Sequence, residues 1–354
     1  MKELTKIEYS ERALFEAEFN SHKTMIIATM GLGFFENETE VLIEKLIRYG
    51  ITHIRVNLSK FDTPSSLFNI THMLTNIKTT FNIMLDLTIT FKKIRFSLAN
   101  KNAYLDVKKG EILNICYCNN MNNKKTLYIQ EVNVSFWKCI HEGDIIKYGD
   151  GECELVVQKV QANCITAEVQ NSVRIFAKKS LNFDNYILDN HTEIVENKYT
   201  NLLKEVNPWA VAFSFISSKQ DVLQMKQYLD NVGIEPEIVS KIETNEGVKN
   251  ILEILEVSNV MLARGDLSLN VPVEKFYDTQ QYVFEKVASS GKKIYIATGI
   301  LNSLSSLNMP TQAEIIDISI ILKNNPDGIV LNYGVIQSSG LNKALDIIHR
   351  IEYK

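Results

Sequence analysis

The sequence contains no run of the ~18 uninterrupted apolar residues that a membrane-spanning helix needs, so no membrane partner is expected. Its first residues, Met1-Lys2-Glu3-Leu4, lack the pattern of a secretory signal. There is no low-complexity tract. No charge of one sign dominates: the formal net charge is -4, which gives no reason to expect a nucleic-acid partner. Cysteine is sparse and odd in number: Cys116, Cys118, Cys139, Cys153 and Cys164 all fall in one stretch. An odd count without a secretory signal predicts reduced thiols and a cytoplasmic chain. The single residue between Cys116 and Cys118 is not a zinc-knuckle spacing.

What is present is ordinary in bulk and ordered in detail. The chain has 354 residues, 45% hydrophobic and 23% charged, enough for one large core or one barrel carrying a smaller insertion. Short apolar runs recur at 24–28, 53–58, 83–87, 210–215, 237–242, 260–263, 293–297 and 328–331. Several are rich in β-branched residues, as buried parallel strands are. Helical patterns lie between them at 38–49, 221–232, 247–255, 278–289, 311–322 and 341–351. Gly50 is a stop signal, and Thr311 with Glu314 reads as a capping box.

Eight strands alternating with helices predict a (β/α)8 TIM barrel, with an open doubly wound sheet as the alternative. Residues 97–183 lose helical periodicity and show short alternating runs with Gly-Asp turns, such as Gly143-Asp144. They read as a small β-barrel-like lid domain inserted after the third strand. The expected organisation is therefore an N-terminal segment 1–21, barrel 22–96, insertion 97–183 and barrel 184–354.

Barrels of this class place their chemistry at the C-terminal rim of the strands. The predicted strands deliver Arg55, Asn57 and Ser59, then Asp86, Ser214, Lys241 with Glu243, Asp266 and Thr298. Glu243 and Asp266 are hard oxygen ligands suited to Mg2+ or Mn2+. Lys241 and Arg55 supply fixed positive charge for a phosphoryl group. Gly265 lets the backbone approach a ligand. Asn57, Ser59 and Asp86 offer oxygens that suit a monovalent cation. A single Asp or Lys at a strand end is more often a structural ion pair. So many suitable groups on different strands argue for a site that takes an anion and a metal.

The motifs then become specific. The segments 23–31 (KTMIIATMG) and 50–59 (GITHIRVNLS) resemble the first two barrel strands of the pyruvate kinase family. The segments 238–247 (IVSKIETNEG) and 261–267 (MLARGDL) resemble its strongest motifs. Ala297-Thr298 and the segment 310–314 (PTQAE) follow in the same order, so the likeness runs from about Lys23 to Lys354. The resemblance implies transfer of a phosphoryl group from phosphoenolpyruvate to ADP, in glycolysis, with Mg2+ and K+. Glu243 and Asp266 would hold the divalent ion. Asn57, Ser59, Asp86 and the Leu87 carbonyl would hold the monovalent one. Lys241 would stabilise the phosphoryl group in transfer. Arg55, Asn57 and Ser214 would bind the phosphate, Gly265 and Asp266 would line the substrate, and Thr298 would lie beside the methylene carbon. The insertion would be the family's lid, with Arg95, Lys179 and Lys60 on the nucleotide side.

Departures cluster. Lys60 stands where the family has histidine, and the segment 86–95 is two residues longer than its counterpart. Gly299 and Gln312 replace glutamine and arginine. The family's Ser-Gly-Glu-Thr after the last strand is Asn332-Tyr333-Gly334-Val335, which removes a hydroxyl and a carboxylate. The metal and phosphoenolpyruvate half is nearly whole, whereas the nucleotide and proton-relay half is altered. Three functions compete: a phosphotransferase with ADP or another acceptor, a metal-dependent enolate enzyme of pyruvate that transfers no phosphoryl group, and a binding protein. The family's regulatory C-terminal domain has no counterpart within these residues, so a homodimer or monomer is expected rather than a tetramer.

Overall fold

The structure is a computed structural model that describes residues 24–31, 39–61, 64–87, 93–99, 104–117, 123–129, 134–149, 151–177, 179–183 and 192–353. The expected N-terminal segment lies outside them. The chain divides into two compact units, residues 1–88 with 194–354, and residues 89–193.

In the first unit the strands are β1 (Met25–Met30), β2 (His53–Asn57) and β3 (Asn82–Leu87), resumed after the insertion. The insertion contributes β4 (Lys93–Leu98), β5 (Tyr104–Val107), β6 (Ile112–Cys116), β7 (Thr126–Ile129) and β8 (Ile145–Tyr148). It continues with β9 (Cys153–Gln161), β10 (Cys164–Val169), β11 (Val173–Phe176) and β12 (Ser180–Phe183). The first unit then adds β13 (Ala210–Phe213), β14 (Glu237–Ile242), β15 (Asn259–Ala263), β16 (Ile294–Ala297) and β17 (Gly328–Leu331). Its strands close in the order β1-β17-β16-β15-β14-β13-β3-β2, and every pair is parallel. This is the expected closed barrel, not an open sheet.

Alternation along each strand sends one set of side chains inward. Ile27, Met84, Ala210, Ala212, Val239, Met261, Tyr295, Ala297 and Val330 fill the interior. The two alanines of β13 are small, and the Tyr295 and Trp209 rings, 6.2 Å apart and edge-on, occupy the interior beside them. The opposite faces pack under helices such as Lys219–Val232, which starts on a Ser218 capping box and ends on left-handed Gly233 (φ 83°). The Thr311–Glu314 capping box forms as expected. The pattern at 247–255 resolves into two short helices, Asn245–Lys249 and Ile251–Val257, which meet at Asn250.

The inserted unit is a closed seven-strand barrel, β10-β6-β7-β4-β12-β8-β9, with β5 and β11 as a separate pair. Its own core includes Phe96, Leu113, Leu127, Phe136, Leu155 and Leu181. It begins earlier than residue 97, because β4 pairs with β7 and β12 inside the insertion. The turns at Gly143 (φ 90°) and Gly149 (φ 61°) need the left-handed backbone that glycine adopts without strain.

One expectation is overturned. Cys116 and Cys164 stand directly opposite on antiparallel β6 and β10, and their sulfurs are joined in a disulfide. The cysteine count could not reveal a pairing created by strand register. Cys139 and Cys153 are free, and Cys118 lies outside the described residues. Among the described residues no helix is long and apolar enough to cross a membrane.

Candidate active site

The interior columns of the barrel change character at one level. Ile27, Met84, Ala212 and Val239 belong to the apolar interior. Two residues further along the same strand directions stand Thr29, Asp86, Ser214 and Lys241. The period-two alternation therefore lifts a ring of polar groups onto the top of a dry core.

Lys241 is the hub. Its ammonium donates to Ser214 Oγ at 2.9 Å and to Asp86 Oδ1 at 3.3 Å, and pairs with Glu243 Oε1 at 3.0 Å. Arg55 approaches Asp86 from the other side, with Nε 2.9 Å and Nη2 2.5 Å from Oδ2. Arg55 Nη1 also donates to Thr29 Oγ1 at 3.1 Å. Asp86 is fully buried, Glu243 1% exposed and Lys241 6% exposed, so these charges interact with little water between them.

The charge states follow. Burial works against the charge on Asp86, but Lys241 and Arg55 together hold its carboxyl below the usual range. Burial likewise disfavours the Lys241 ammonium, yet Asp86 and Glu243 keep it above the ordinary lysine value. Glu243 responds the other way. Burial pushes its carboxyl up to about 7; Lys241 opposes this, while Asp266 and Asp86 add repulsion. With Asp86, Glu243 and Asp266 against Lys241 and Arg55, the cluster carries an excess of negative charge that a cation would relieve.

Backbone groups complete the frame. Phe215, in the left-handed region (φ 58°), donates its N–H to Glu243 Oε2 at 2.6 Å. Asn270 Nδ2 donates to the carbonyls of Glu243 and Asp266, at 2.9 and 2.8 Å, and so clips the end of β14 to the short helix Arg264–Asn270. Asp266 lies in that helix's first turn and is half-buried.

Thr298 is exposed just past β16, in a left-handed conformation (φ 73°). It lies against Gly265, where an added Cβ would come within 2.8 Å of its Cγ2. Arg264 is buried behind it. Its Nε donates to the Thr298 carbonyl at 3.0 Å, and its two Nη groups grip Asp317 at 2.7 Å each. Sequence reading passed over Arg264, Asp317, Thr29 and Asn270. Thr29 had a signal, because it continues the Ile27 column of β1. The others carry none, since their partners come from distant elements.

The structure thus brings Arg55, Asp86, Ser214, Lys241 and Glu243 into contact, puts Asp266 within their electrostatic reach, and sets Gly265 against Thr298. Asn57 is level with Asp86 on the neighbouring strand, but its Oδ1 accepts from Ser59 N and Oγ, at 3.0 and 2.7 Å. The Leu87 carbonyl accepts from Ser214 N at 3.0 Å. In the inserted unit, β4–β12 pairing puts Arg95 opposite Ser180, next to Lys179, and Lys179 pairs with Glu152. The side chain of Lys60 lies outside the described residues.

A closed parallel barrel with a lysine–carboxylate cluster at its strand ends defines an enzyme-type (β/α)8 site. The family model described as "Pyruvate kinase, barrel domain" matches residues 21–335. Among similar proteins, pyruvate kinase of Clostridium perfringens is 30% identical over 323 residues, covering 88% of this chain and 65% of the relative. Pyruvate kinase of Thermococcus litoralis is 27% identical over 325 residues, covering 89% and 66%. That of Thermotoga maritima is 28% identical over 316, covering 87% and 66%. The chain spans just under two thirds of the length of these relatives. It belongs to the pyruvate kinase family.

Proposed function

We propose that this chain is a pyruvate-kinase-type phosphotransferase acting on phosphoenolpyruvate, with ADP or another acceptor. The observation that carries this reading is the Lys241 ammonium, held charged between Asp86, Glu243 and Ser214. In transfer, the bond from phosphorus to the enol oxygen breaks and a bond to the acceptor oxygen forms. The enolate left behind takes a proton at its methylene carbon and becomes pyruvate. Lys241 offsets negative charge on the phosphoryl group, a preorganised contribution of several kcal/mol by order of magnitude. Arg55 is positioned by Asp86 and Thr29; among the described residues it keeps one N–H on each Nη for a phosphate. Thr298 is the exposed hydroxyl beside Gly265.

Mg2+ or Mn2+ fits the donor set: two carboxylates, Glu243 and Asp266, with substrate oxygens to complete the shell. When bound, the ion would neutralise phosphoryl charge. K+ is a different case. The Asp86 oxygens are taken by Arg55, Lys241 and Ser214, and Asn57 Oδ1 by Ser59. As arranged, these oxygens do not fit a further cation.

A second reading is enolate chemistry on pyruvate without phosphoryl transfer. It is favoured by Asn332-Tyr333-Gly334-Val335 after β17, which stands where the family has Ser-Gly-Glu-Thr and lacks that hydroxyl and carboxylate. The family reading also puts the chain in glycolysis and the cytoplasm. The test is turnover of phosphoenolpyruvate with Mg2+, K+ and a panel of acceptors, in wild type and Lys241→Met. Loss of turnover by about 10²-fold or more in the variant supports the first reading. Equal turnover rejects it. Deuterium exchange into pyruvate without any acceptor would select the second.

A further inference from the structure

Ile27 and Thr29 rise along one interior column of β1, and Gly31 follows just beyond the strand end. A Cβ built on Gly31 would come within 2.6 Å of Cγ and 2.8 Å of Cε1 of Tyr333. The Tyr333 ring therefore lies where a side chain at Gly31 would project. The same column carries Thr29, whose hydroxyl holds Arg55. The ring's backbone is fixed as well. Asn332 caps the short helix Tyr333–Gln337 by accepting from Val335 N at 2.9 Å, and its amide is tied to Asn302. In barrel order, β17 lies between β1 and β16, the strand that delivers Thr298. Tyr333 thus stands on the arc of the rim between Arg55 and Thr298. Where the family pattern has glycine at this position, this chain puts an aromatic ring.

Resting on the phosphoenolpyruvate reading, we propose that Tyr333 is a specificity-determining wall. It narrows the mouth on the β17–β1 side and restricts the site to compact 2-oxo acids and their enol phosphates. A ring of this size excludes bulky substituents by steric overlap, and a group of a few carbons in a closed pocket discriminates by about tenfold or more.

The test is calorimetric binding of oxalate and of phenylpyruvate, each with Mn2+, to wild type, Tyr333→Ala and Tyr333→Leu. The expected result is that wild type binds oxalate, and that the phenylpyruvate-to-oxalate affinity ratio rises by about tenfold or more in the variants. The leucine variant keeps bulk at Cγ and gives the readout if the alanine variant does not fold. No oxalate binding by wild type overturns the phosphoenolpyruvate reading, and this inference with it. Oxalate binding with an unchanged ratio in the variants overturns the wall alone.

Discussion

The guanidinium of Arg264 donates to the backbone carbonyl of Thr298 at 3.0 Å while both its Nη groups grip Asp317. Thr298 holds a positive φ that an L-residue with a branched Cβ adopts only when its surroundings enforce it. Arg264 is thus the brace for an exposed rim hydroxyl. Arg264→Met removes the brace and leaves Asp317 without its buried partner. Because Asp317 keeps 34% of its side chain exposed, the expected loss of stability is about 1–3 kcal/mol, measured by urea unfolding. A loss below about 1 kcal/mol would mean the pair carries little.

Glu243→Gln preserves shape and keeps an oxygen for the Phe215 N–H. It removes one negative charge from a cluster that holds too many. Its NH2 then faces the Lys241 ammonium, so folding stability should fall, and Mn2+ affinity should fall about tenfold or more, read by titration calorimetry. Unchanged Mn2+ affinity would remove Glu243 from the metal site.

His53 sits at the opposite end of the barrel, between Thr52 and Asn82 and edge-on to Trp209 at 4.8 Å. Burial lowers its pKa below the usual 6.5; Glu237 opposes this and Lys293 adds to it. Between the lowered native value and 6.5, the unfolded chain holds a proton that the native state has lost. Stability from this group therefore rises with pH across that window and levels off above it. Melting temperatures across that range should climb in wild type and climb less in His53→Gln. Equal slopes would show that His53 does not titrate differently on folding.

Gly31→Ala drives a Cβ into the Tyr333 ring and should cost about 1–3 kcal/mol. Tyr333→Ala in the same chain should remove most of that cost. Denaturant melts of the two single variants and the double variant measure the coupling. Simple additivity would show that the ring has another place to go.

The barrel was legible because apolar runs and helical patterns alternate, and Lys241, Glu243 and Asp266 were legible because they close such runs. What escaped was made by register and long-range closure. Cys116 meets Cys164 only because β6 pairs with β10. The helix Arg264–Asn270 converts an apparent strand-end motif into a turn, in which buried Arg264 reaches Asp317 and half-buried Asp266 acts on Lys241. Asp86 read from its place at a strand end as an oxygen suited to a monovalent cation, and its oxygens are shared between Arg55 and Lys241. Alternation predicts which column a residue occupies, but not which partner reaches across from the next strand.

In the insertion, the first strand β4 and the last strand β12 are hydrogen-bonded neighbours. Lys93 and Asn182, near the two ends of the insertion, thus stand side by side. Joining such a piece to a host resembles closing a single loop, whose entropic cost grows only slowly with the number of residues enclosed. Residues added within the insertion therefore carry a small entropic penalty, about 0.6 kcal/mol for each doubling of the enclosed length.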